Sequence, residues 1–92
     1  MHYARRVDFD AFRQELRAGR LREVEAWYGE ASFGSWYVVL EGRPRRRVVW
    51  DGKEHFLSIE HQVEGGWEEQ WFVRDPADQT PAKTLAALAR LK

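Results

Sequence analysis

The chain has no cysteine, three prolines, three lysines and one methionine among 92 residues. Without cysteine there is no disulfide framework, thiol nucleophile or thiolate zinc site, and thiol redox chemistry is excluded. Neither sign of charge dominates, because fifteen basic side chains meet fifteen acidic ones. A dedicated polyanion binder carries a basic excess, so a balanced chain argues against that class. Long apolar runs are missing too. The longest, Trp36 to Leu40, falls far short of the roughly 20 residues of a membrane helix. Met1 to Glu15 holds three arginines, two aspartates and a glutamate, with no apolar stretch of signal-peptide length. These features predict a cytoplasmic protein with no membrane association. Twelve arginines against three lysines fit GC-rich coding, as in a bacterium or its phage.

What is present in excess is tryptophan, five residues in a chain whose length supports a single domain over 1–92. From Asp8, the apolar residues Phe9, Phe12 and Leu16 fall at three-and-four spacing, which predicts a helix capped by Asp8 and ended by a left-handed Gly19. The period then changes to two. Val24, Ala26 and Tyr28 alternate with Glu23, Glu25 and Trp27, placing Trp27 on the more polar face of a first strand. Ser35 to Glu41 is apolar on both faces and reads as a central strand, with Trp36 in the core. Arg45 to Trp50, Glu54 to Val63 and Trp67 to Arg74 follow as strands, separated by turns at Asp51-Gly52 and Gly65-Gly66. Thr80-Pro81 starts a last helix with Leu85, Leu88, Ala89 and Leu91 inward.

Short turns between strands demand antiparallel neighbours, because parallel ones need long crossovers. The expected fold is therefore α+β: a five-stranded antiparallel sheet, mostly a meander, with N- and C-terminal helices packed on one face in the order α-β-β-β-β-β-α. Two short helices cover one sheet face, which leaves the other for water or a partner. In the last strand, alternation puts Trp67, Glu69, Trp71 and Val73 on one side and Phe72 on the other. With Phe72 toward the helices, Trp67 and Trp71 look outward.

Catalytic and metal signatures are weak. His55 and His61 lie too far apart along one strand to share an ion, and His2 stands alone near the start. Glu60, Glu64, Glu68 and Glu69 mostly alternate with apolar residues, as on a solvated face, and none of the three serines sits in a nucleophile elbow. Gly65-Gly66 precedes a strand, unlike a phosphate loop. No cofactor and no enzymatic activity are expected.

Arg43-Pro44-Arg45-Arg46-Arg47 is the sharpest charge feature. It reads either as a phosphate-contacting edge with tryptophans as stacking platforms, or as one half of cross-strand pairs with the glutamates that follow; the second is preferred. Residues 1–47 carry ten basic and seven acidic groups, net +3, and residues 48–92 carry five and eight, net −3. Neutrality is thus the sum of two opposite patches.

Pro81-Ala82-Lys83-Thr84-Leu85-Ala86-Ala87 resembles the alanine-rich last helix of double-stranded-RNA-binding domains. Five expected strands in place of three, and a single Lys83 in place of a lysine cluster, keep the chain outside that family. The expected role is non-catalytic binding of another protein, as an adaptor, inhibitor or immunity-type module. The surface would be an open sheet face carrying Trp50, Trp67 and Trp71, with Arg45 and Arg47 on the adjoining turn and Glu69 setting polarity. A homodimer in which the basic turn of one copy docks on the acidic fifth strand of another, and single-stranded nucleic acid held by the Arg43 to Arg47 turn, are the alternatives.

Overall fold

The computed structural model describes residues 7–91; His2 lies outside them. Helix α1 spans Phe9–Ala18, strands β1 to β5 span Glu23–Gly29, Ser35–Leu40, Arg46–Asp51, Phe56–Val63 and Gly66–Val73, and helix α2 spans Pro81–Arg90. The strands pair antiparallel in chain order, β1-β2-β3-β4-β5. This is the expected α+β meander with helices at both ends of the chain.

Both helices form for local reasons. Asp8 accepts the Ala11 amide at 2.9 Å, and Thr80 accepts that of Lys83 at 3.2 Å, with Pro81 in the first turn of α2. Each cap satisfies an amide that has no partner inside its helix. The end of α1 differs from the sequence expectation. Gly19 is right-handed, with φ −80°, and Arg20 is the left-handed residue at φ 68°. The Arg20 amide donates to Arg17 at 2.9 Å and the Leu21 amide to Leu16 at 3.1 Å. That is a Schellman closure shifted one residue along, and it folds Leu21 back onto the core. A Cβ at Gly19 would stand 2.8 Å from a terminal methyl of Leu85, so a larger residue there requires that side chain to shift.

One sheet face carries the core. Phe12 and Leu16 of α1 and Ala87 of α2 close over Trp36, Val38, Leu40, Val48, Leu57 and Ile59. Trp36 is 1% exposed and donates its indole N–H to the Val7 carbonyl at 2.9 Å. Packing of this kind removes apolar area from water, and it outweighs the weak propensity of two ten-residue helices.

Each outer strand contains one extra residue. In β1, Glu23 pairs with Leu40 but Glu25 with Val39, leaving Val24 over. In β5, Glu69 pairs with Glu60 but Trp71 with Ile59, leaving Gln70 over. A bulge of this type reverses the inward and outward sets on either side of it. In β1 it turns Glu23 under α1, where Arg13 grips the carboxylate through two bonds of 2.9 Å. The guanidinium holds the Glu23 carboxyl below the ordinary carboxylate range, against the opposing pull of partial burial. A carboxyl depressed in the folded state contributes stability above its unfolded value, and the contribution is lost as pH falls through the folded value. Glu23→Gln is expected to lower stability by about 1 kcal/mol at neutral pH. In thermal melts the gap between wild type and variant should close below pH 4.5. A gap that stays constant into acid would contradict the pairing.

The Asp51-Gly52 hairpin is longer than a two-residue turn. Asp51 pairs with Phe56, so Gly52 to His55 form the connection. Asp51 Oδ1 accepts the amides of Lys53 and Glu54 at 2.9 and 2.8 Å, and His55 closes the turn left-handed at φ 60°.

Candidate functional site

The face away from the helices is a layer of rings and guanidinium groups. Alternation places Trp27 of β1, Tyr37 of β2 and Arg47 of β3 on it, and β5 adds Trp67. The Trp27 and Tyr37 rings stack at 5.6 Å with an interplanar angle of 26°. The Arg47 guanidinium lies 5.4 Å from the Tyr37 ring and 4.4 Å from the Trp67 ring. Indole, phenol, guanidinium and indole thus form a chain of contacts across the sheet.

Polar partners fix that chain in place. Arg47 Nε donates to Glu60 Oε1 at 2.6 Å, directly across the β3–β4 ladder. The Tyr37 hydroxyl donates to Glu25 at 2.7 Å. This bond holds the phenol above its ordinary pKa, with burial acting the same way and Arg47 opposing, so Tyr37 stays a neutral donor. At the other end of the face, Phe56 and Phe72 pack at 4.8 Å beneath the Arg74 guanidinium. Val39 and Ser58 are 4% and 1% exposed although no helix covers them, because the larger side chains around them close over the sheet. Trp27 and Phe72 remain 42% and 38% exposed.

The structure separates the residues singled out from the sequence. Arg47 and Trp67 come together on the open face, and exposed Glu69 lies beside them on β5 opposite Glu60. Arg45 is exposed in the turn just before β3, which begins one residue later than expected. Trp50 and Trp71 are not on this face. Trp50 pairs with Trp36 and Leu57, and Trp71 with Ile59, so both pack against the helix-side core. The expectation that Trp67 and Trp71 share a face with Phe72 opposite fails at Gln70. The extra residue sends Trp71 inward and Phe72 outward.

Tyr37 was available from alternation against Trp36 and Val38. Phe72 was not, since a bulge of this kind demands no special residue type. The preferred reading of the arginine run holds for Arg47, which pairs with a glutamate. Arg46 points to the helix side, donates to Gln70 at 2.8 Å and buries its Nη2 without a partner among the described residues. Of the two histidines expected on strand four, His61 lies on β4 and meets Glu68 at 2.9 Å, while His55 falls in the β3–β4 turn before the strand begins and stacks on Trp50 at 5.8 Å. Among the described residues, no three His, Asp or Glu side chains gather as a metal site would require.

Fold and surface define an α+β meander protein with one covered and one open sheet face. Comparisons with protein-family models, with curated proteins and with solved structures find no match to this chain.

Proposed function

We propose that the protein is a non-catalytic binding module for another protein and docks it on the open sheet face. The Trp27–Tyr37–Arg47–Trp67 stack carries this reading. Tryptophan, tyrosine and arginine dominate interface hot spots, and side chains already held in place lose less freedom on binding. Charge favours a protein over a polyphosphate. Within the arginine run, Arg47 is matched by Glu60 and Arg46 lies on the other side of the sheet, so Arg43 and Arg45 are left to meet phosphates. Glu25 and Glu69 flank the rings and oppose a polyanion.

Trp67→Ala and Trp27→Ala should each weaken the partner complex by about 2 kcal/mol while the far-ultraviolet spectrum and melting cooperativity stay unchanged. Affinity capture from the native host, quantified against wild type, reads the loss. Equal retention by both variants would sink the assignment. A salt-sensitive anisotropy change with single-stranded oligonucleotides, lost in a triple Arg43, Arg45, Arg47 variant, would replace it with the nucleic-acid reading.

A further inference from the structure

A second feature lies at the opposite end of the helix-side core from the Schellman turn. Here the start of α1, the end of β1, the loop before β2 and the β3–β4 turn surround a cleft of about 910 Å³. Sites for small molecules commonly fall between roughly 300 and 1,000 Å³. Phe9 and Trp36 lie toward the core, while Tyr28, Phe33, Trp50 and His55 supply further rings.

Two of those rings are delivered by unusual backbone. Phe33 and His55 are left-handed at φ 59° and 60°, a conformation rare for residues with a Cβ and rarest for bulky ones. Such conformers persist where surrounding structure imposes them. Here the imposing contact is Gly52. A Cβ on it would stand 2.0 Å from the Phe33 carbonyl oxygen, and its amide donates to Ser35 Oγ at 2.9 Å. The two loops interlock at that glycine. His55 lies parallel to Trp50, at 4° and 5.8 Å, and Phe33 stands 68% exposed on the same rim.

Among the described residues, the charge on the helix side of the cleft is acidic. Asp8 and Asp10 line it at the start of α1. Their two negative charges outweigh the roughly half positive charge of a helix N-terminus. Arg74 also lines the cleft, but its guanidinium sits over Phe56 and Phe72 on the open sheet face. An acidic wall facing several rings suits a ligand with a flat aromatic body and a protonated amine, since aromatic faces attract cations and aromatic rings stack on one another.

We propose that this cleft is a binding site for a small aryl amine, its ring held among Tyr28, Phe33, Trp50 and His55 and its ammonium directed to Asp8 and Asp10. The site is separate from the open sheet face and does not depend on the protein-docking reading. The probe is tryptamine, with indole-3-acetate as an anionic control and butylamine as a cation without a ring. In amide NMR titrations of the full chain, tryptamine should bind at submillimolar concentration and shift Phe33, Gly34 and His55. Indole-3-acetate and butylamine should bind at least about tenfold more weakly. His55→Gly removes a ring at a position where glycine is the easier residue, so the fold survives and tryptamine affinity should fall about tenfold. Asp10→Asn should weaken tryptamine several-fold and, by removing a like charge from the wall, strengthen indole-3-acetate, narrowing the gap between the two. Absence of shifts with tryptamine at millimolar concentration, equal affinity for the amine and the acid, or full affinity in His55→Gly would each overturn the proposal.

Discussion

Replacing Trp36 with alanine is expected to cost about 3–5 kcal/mol of folding stability. The indole is the largest fully buried side chain, and it contacts Phe9 at 5.7 Å and Phe12 at 5.2 Å between ring centres. Its N–H also ties the segment before α1 to the core through Val7. Alanine would leave a void beneath α1 that the antiparallel ladders on both sides of β2 prevent from collapsing, and would strip the Val7 carbonyl of its donor. A protein of this size has about 5–15 kcal/mol in total. Urea denaturation should therefore show a midpoint lowered by about a fifth or more, or a loss of cooperativity. A shift below about 1 kcal/mol would mean that Trp36 is not packed as described.

Gly52→Ala should be nearly as damaging, although it adds a single methyl group at a turn. The new Cβ would meet backbone, the Phe33 carbonyl oxygen at 2.0 Å and its carbon at 2.8 Å, so no side chain can rotate away to relieve the clash. Either the β3–β4 turn or the loop before β2 has to move. Forced displacement of this kind costs about 1–3 kcal/mol. The variant should melt earlier than wild type, with amide shifts concentrated in Phe33 to Ser35 and Gly52 to His55. Gly65→Ala is a useful contrast, because nothing lies within 4 Å of its added methyl and the cost there comes from φ 86° alone. Damage confined to the two loops in Gly52→Ala, and absent from them in Gly65→Ala, would show that the interlock is specific.

The architecture was legible because its signals are local. Asp8 and Thr80 mark helix starts, the three-and-four spacing of Phe9, Phe12 and Leu16 marks a buried helix face, and short glycine turns force neighbouring strands to run antiparallel. The doubly apolar β2 is an interior strand with Trp36 in the core, as its composition implies. What sequence could not supply is register. At Gln70 one residue without a special conformation or composition exchanges the faces of Trp71 and Phe72, and one of the three tryptophans of the expected docking surface packs against the helix-side core as a result. The asymmetry of the arginine run has the same origin. Arg46 and Arg47 are adjacent in sequence and identical in chemistry, but the pleat sends one under the helices and the other between two rings. Trp50 was misplaced for a different reason. Charged neighbours made its strand look half solvated, whereas its own parity follows that of Val48, which is fully buried.

The extra residues in β1 and β5 have one more consequence. In a meander the outer strands are the first and last, and each offers a row of unsatisfied amides and carbonyls to any extended chain that approaches. Flat edges of that kind recruit further strands and propagate into fibres, and a bulge interrupts both their hydrogen-bonding repeat and their flatness. Here both rims of the sheet are interrupted, by Val24 and by Gln70, while the inner ladders β2–β3 and β3–β4 run without irregularity. The same sheet that displays rings openly on its surface thus carries at both rims an interruption that works against the addition of further strands.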